Sequence, residues 1–164
     1  MAGEIRALTV RQPWASAIAF GDKRVENRSW PTAYRGLLAI HAGASVDWDA
    51  TEKAWPAAGL APYVAGAPRK AWTASLPLGA VIAVAELAGC HDDGTAPCLT
   101  PLGRQGRLVM CSPWAQRFQW HWQLADVRPL REPVPCRGAL GLWRLPADVE
   151  KAVRAQLSED GSHG

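Results

Sequence analysis

Three charged side chains of mixed sign, Lys23, Glu26 and Arg28, fall within six residues and form the pattern G-x-K-x-x-E-x-R from Gly21 onward, with Trp30 just beyond. Such a set can do two kinds of work. Lys23 and Arg28 can hold a phosphate or steady an oxyanion, and Glu26 can accept a base's exocyclic amine or take a proton. Lys23 and Glu26 are therefore the candidate catalytic pair if the chain is an enzyme. A carboxylate flanked by two cations is held in its charged form, which suits positioning better than proton abstraction. The competing interpretation is an ion network that only orders a turn.

The neighbouring sequence supplies elements that can position these groups. Residues 5–10 alternate as a first strand. Pro13 stands where a helix can begin, and Trp14, Ala17, Ile18 and Phe20 form its apolar stripe. Gly21 reads as the residue that ends the helix. From Val25 to Trp30 the chain reads as extended, so Glu26 and Arg28 share one face and Lys23 reaches toward it from the turn.

Further along, residues 37–41 read as a buried strand. Residues 46–58 read as a helix capped near Ser45 or Asp47 and broken at Pro56, and residues 59–77 as loop with a short helix. Residues 80–87 are the clearest strand. Residues 94–106 read as loop, 112–118 as a short helix, 120–124 as a strand and 129–138 as an irregular basic stretch. A last strand at 140–145 and a closing helix at 146–157 complete the domain, and residues 158–164 read as a disordered tail. The expected fold class is α+β, a small mixed or closed β-barrel of five to seven strands decorated by three to four helices.

Other candidates surround the charged motif. Gln12 and Trp14 lie at the start of the first helix, where backbone N–H groups attract anions and an indole can wall a base pocket. Trp30 offers the same surface. His41 ends a strand beside small residues. Arg11, Arg35 and Arg137 can steer a phosphate backbone. The nine tryptophans serve equally well as core anchors.

Composition narrows the class. The 164 residues are 48% hydrophobic and 20% charged with a net charge of +3, which fits one soluble domain. No apolar run approaches the roughly 18 residues of a membrane span, and residues 1–6 lack a signal-peptide core, so a cytoplasmic monomer is expected. Residues 1–46 carry six basic and three acidic groups, and residues 99–144 seven and two, on either side of an acidic block. Together the basic blocks form the footprint of a phosphate-bearing partner.

Cys90, His91, Cys98, Cys111 and His121 match no zinc spacing. A Cys–His nucleophile built from Cys90 or Cys111 with His41 or His121 lacks a local signature. No metal and no cofactor is expected, and no phosphate-binding or dinucleotide glycine motif is present.

The ordered run Leu8-Thr9-Val10-Arg11-Gln12-Pro13-Trp14-Ala15, then Gly21, Lys23, Glu26 and Arg28, then Tyr34-Arg35-Gly36 and Ile40-His41-Ala42, resembles the ASCH family. Gly141-Leu142-Trp143-Arg144-Leu145 resembles its last strand. The resemblance covers roughly residues 5–145 of a single domain expected over residues 1–157, and implies a PUA-like β-barrel with a cleft for RNA, single-stranded nucleic acid or a nucleoside. Some relatives hydrolyse N4-acylated cytidine with the motif Lys and a Thr three residues later, and others are ribonucleolytic. Lys23 matches the Lys, whereas Glu26 stands at the Thr position. Binding of RNA, single-stranded nucleic acid or a modified nucleobase is thus the first expectation and a hydrolase the second. A protein-interaction domain docking through a tryptophan-rich patch is the third.

Overall fold

Alternation along two neighbouring strands decides which side chains meet. The computed structural model describes residues 3–50, 54–58, 71, 74–94, 98, 100–102 and 107–160. In β1 (Arg6–Gln12), Leu8 and Val10 enter one core cluster while Ala7 enters another. In β3 (Gly36–Val46), which pairs with β1 in parallel, Leu38 and Ile40 go to the first cluster and Ala39 to the second. With a side-chain period of two, the clusters lie on opposite faces of one sheet.

Each face has its own helix. Ala15, Ile18 and Ala19 of α1 (Trp14–Phe20) cover the first face, and Val149 and Val153 of α3 (Ala147–Asp160) cover the second. A four-residue α2 (Ala54–Ala57) packs beside α1 through a third cluster of Ala17, Ala54 and Trp114. Gln12 organises the start of α1. Its Oε1 accepts the Ser16 N–H at 3.0 Å, and its Nε2 donates to Ser16 Oγ and to the Pro77 carbonyl, both at 2.8 Å.

The sheet has six strands in the order β2-β7-β4-β3-β1-β8, where β2 is Val25–Arg28, β4 Ala80–Asp92, β7 Trp120–Pro135 and β8 Leu142–Arg144. A separate two-stranded ladder joins β5 (Thr100–Leu102) to β6 (Arg107–Val109). The fold class is α+β, with eight strands and three helices among the described residues. The expected closed barrel is corrected: β2 and β8 are the edges of the six-stranded sheet and do not pair with each other. β2 pairs with β7 alone and β8 with β1 alone, so each leaves its outer edge open among the described residues.

Several local expectations also change. Among the described residues of 46–58, where a single helix was expected, only α2 is helical, because β3 runs on to Val46 and the Asp47 N–H bonds the Gln12 carbonyl at 2.6 Å. Asp47 then spends its carboxylate locally, accepting from Trp14 Nε1 at 3.0 Å and from the Asp49 N–H at 3.2 Å. Residues 112–118 form turns rather than a helix. The basic stretch 129–138 is largely strand, since β7 reaches Pro135. The stretch expected as loop at 94–106 contains β5, and α3 extends to Asp160 rather than ending at 157. Most of the loop expected at 59–77, and residues 161–164 of the expected tail, lie outside the described residues.

Candidate functional site

β2 and the turn before it present the charged motif as the alternation predicts. Glu26 bridges two cations: Lys23 Nζ lies 2.7 Å from Oε2 and Arg28 Nε 3.3 Å from Oε1. Lys23 is only 2% exposed and Glu26 7%. Lys23 also donates to the Val25 carbonyl, and its ammonium lies 5.9 Å from the centre of the Trp14 ring. Arg28 continues the chain by donating from Nη2 to the Thr9 carbonyl at 2.8 Å, while its buried Nε has no hydrogen-bond partner.

A cavity of about 140 Å3 opens on this network, lined by Trp14, Lys23, Glu26, Asn27, Asp47 and Gln116. Its walls are tied together. Asn27 Nδ2 donates to the Trp114 carbonyl and Asn27 Oδ1 accepts the Gln116 N–H, both at 2.9 Å. Trp114 Nε1 donates to Asp22 at 3.2 Å, and its ring meets the Trp14 ring edge-on at 6.3 Å. Asn27, Asp47 and Gln116 were not among the candidates read from sequence. Asn27 lies inside the motif, but Asp47 and Gln116 reach the cavity only through tertiary packing.

A family model described as ASCH domain matches residues 8–133. The chain belongs to the ASCH domain family. Human activating signal cointegrator 1 is 60% identical over 37 residues, 23% of this chain and 6% of that protein. The mouse protein of the same name is 57% identical over 35 residues, 21% and 6% of the two chains. The matched stretch is thus a small fraction of these curated relatives. The crystal structure of a tyrosine-to-phenylalanine mutant of ZmASCH from Zymomonas mobilis shares the fold, with a TM-score of 0.50 over 93% of this chain and 98% of that one at 17% identity.

In this ASCH domain the remaining candidates divide among places that the sequence reading had merged. Gln12 is fully buried and its amide is hydrogen-bonded at the α1 start, away from the cavity lining. Trp30 packs edge-on against Trp122 at 4.7 Å and accepts its Nε1–H through the backbone carbonyl, which sets it half-buried against the first core cluster. Arg11 is exposed and bonds the Val46 carbonyl, next to Asp47 of the cavity. Arg35 lines a different cavity of about 750 Å3 with Glu4, Glu86, Asp126, Arg128 and Arg154, and its guanidinium donates to the Thr32 and Tyr34 carbonyls.

His41 and Arg137 line a third cavity, of about 400 Å3, that includes Thr9, Cys136 and Gly138. Thr9 and His41 share the parity of Ala7 and Ala39, so they face the α3 side of the sheet rather than the Lys23 cavity. His41 Nε2 donates to the Cys136 carbonyl at 2.9 Å, and Nδ1 and Thr9 Oγ1 are buried without partners. The one basic cleft expected from sequence is thus three cavities that share no lining residue.

The set dismissed for its spacing is brought together. One ligand atom from each of His91, Cys98, Cys111 and His121 lies within 4.8 Å of the others. Burial, followed by the neighbouring Cys98, pushes the Cys111 thiol up to about 11. Among the described residues Cys90 packs against the first core cluster and forms no hydrogen bond with a histidine, unlike Cys111, whose Sγ lies 3.5 Å from His121 Nδ1. The cue in the sequence was density rather than spacing: five of the eight Cys and His residues fall between 90 and 121.

Proposed function

We propose that this ASCH domain binds one unpaired base of RNA, of another single-stranded nucleic acid or of a modified nucleoside, in the cavity beside Trp14 and Lys23. The observation that carries the reading is a half-buried indole set beside fixed hydrogen-bonding groups, Glu26, Asn27, Asp47 and Gln116. An indole gives a stacking surface worth about 1–3 kcal/mol per base, and amide and carboxylate groups read a base edge. The cavity is well below the roughly 300 Å3 of a small-molecule pocket. One ring enters and the rest of the ligand stays outside, where exposed Arg11 is available to phosphate.

The hydrolase reading has less support. Two of the three Lys23 N–H donors are already committed, to the Val25 carbonyl and to Glu26, and Glu26 replaces the threonine of the acyl-cytidine hydrolases. A tryptophan-rich docking patch is also poorly supported: the exposed large apolar residues among those described are Phe20, Leu78, Phe118 and Leu140.

Fluorescence anisotropy with labelled short single-stranded RNA and DNA, in parallel with calorimetry on free nucleosides, tests the proposal. Affinity for a strand is expected to fall as salt rises from about 50 to 200 mM. Trp14→Ala is expected to weaken binding about tenfold or more. Binding that is absent for every probe, or unchanged in Trp14→Ala, overturns it.

A further inference from the structure

The long connection between β4 and β7 leaves the sheet after Asp92 and returns at Trp120. His91 and His121 stand directly opposite one another across that pair, and their rings meet edge-on at 5.4 Å. Cys98 and Cys111 come from the connection itself. Cys98 Sγ lies 3.2 Å, and Cys111 Sγ 3.5 Å, from His121 Nδ1. Bond lengths of about 2.3 Å to sulfur and 2.0–2.1 Å to nitrogen put tetrahedral S and N ligands roughly 3.5 Å apart.

Both histidines have a nitrogen available for a cation. His121 Nε2 lies 2.7 Å from the Gln116 carbonyl, which can only accept, so Nε2 carries the proton and Nδ1 turns its lone pair to the thiols. A backbone carbonyl bonded to the far ring nitrogen is the usual way a metal-binding histidine is oriented. His91 Nε2 is buried with no hydrogen-bond partner. An orphaned buried nitrogen costs free energy unless something fills its lone pair. His121 and Cys98 are completely buried.

We infer that His91, Cys98, Cys111 and His121 form a structural Zn2+ site. Two sulfur and two nitrogen ligands in a compact tetrahedral set select zinc over hard, oxygen-seeking cations. On binding, each cysteine S–H loses its proton to solvent and both sulfurs bond the metal, so two thiolates balance Zn2+ and the buried site is neutral overall. Four protein ligands leave no open position, which makes the role structural.

The site also backs the candidate cavity, through His121 to Gln116 and from Gln116 to Asn27. The zinc assignment does not rest on the base-binding reading, and each experiment can fail without the other.

Elemental analysis of the full chain, purified without chelator, is expected to give about one zinc per chain. Cobalt(II) added to chelator-stripped protein is expected to show tetrahedral ligand-field bands and thiolate charge-transfer absorption. Cys98→Ser and Cys111→Ser are expected to lower metal affinity tenfold or more, whereas Cys90→Ser and Cys136→Ser retain the full equivalent. Should the first two fail to fold, competition of the stripped wild-type chain against a chromophoric zinc chelator reads affinity directly. Substoichiometric zinc with no tight binding, a cobalt spectrum without thiolate bands, equal loss in the Cys90→Ser control, or a Cys98–Cys111 disulfide in protein isolated under reducing conditions overturns the proposal.

Discussion

Lys23 is the most deeply buried of the Lys, Arg, Asp and Glu side chains among the described residues, and it depends on Glu26 for its charge balance. Removing one member of a buried pair costs about 3–5 kcal/mol, because the survivor is left charged and unpaired. Glu26→Ala should therefore lower unfolding free energy in urea by about that amount, while the double replacement Lys23→Met with Glu26→Leu should cost distinctly less. Equal losses would mean that the pair is not coupled. The same alternation that joins Glu26 to Arg28 was readable in the sequence, because β2 is four residues long and pairs with β7 without a register shift. The parity of His41 was not. It depends on the parallel register of β1 against β3, Thr9 opposite His41, and no local pattern encodes that.

Gly21 is an element-scale requirement with a different cause from the one its position suggests. At the end of a helix a glycine usually adopts a left-handed turn. Here the backbone is extended, with φ −109° and ψ −158°, and the constraint is space. A Cβ at this position would lie 2.4 Å from the Ala57 carbonyl oxygen and 2.7 Å from that of Ala17. Both obstacles are backbone, so α1 and α2 would have to separate. Gly21→Ala is expected to cost about 1–3 kcal/mol in thermal or urea unfolding; a variant as stable as the wild type would show that α2 moves freely. β7 illustrates what composition conceals. Residues 129–138 read as an irregular basic stretch, yet Pro129 lies opposite Ala83 and Pro135 opposite Ala80. Prolines lack a ladder donor, and the β4–β7 pairing accommodates irregularity through register shifts between Val81 and Ala83 and between Val84 and Glu86.

At the scale of the molecule the six-stranded sheet separates two faces with distinct duties. The α1 face carries Trp14 and Lys23 of the candidate cavity, while the α3 face carries a core of Ile5, Ala7, Ala39, Val81, Val84 and Leu130 closed by Val149 and Val153. Sequence charge blocks suggested one positive face, because counting basic residues cannot say which side of a sheet each will occupy. The division makes stability and binding separable. Val153 is fully buried on the inner face of α3 and does not line the Lys23 cavity. Val153→Ala removes two methyl groups and leaves a void, a loss of roughly 1–3 kcal/mol. The denaturation midpoint should fall accordingly, with the slope unchanged. Single-strand affinity, measured well below the unfolding transition, should stay within about twofold of wild type, since distant sites with no shared partners act independently. A matching loss of affinity in Val153→Ala would show that the two faces are coupled through the sheet, and the base-binding cavity would then depend on packing across the whole domain rather than on the β2 and α1 residues that line it.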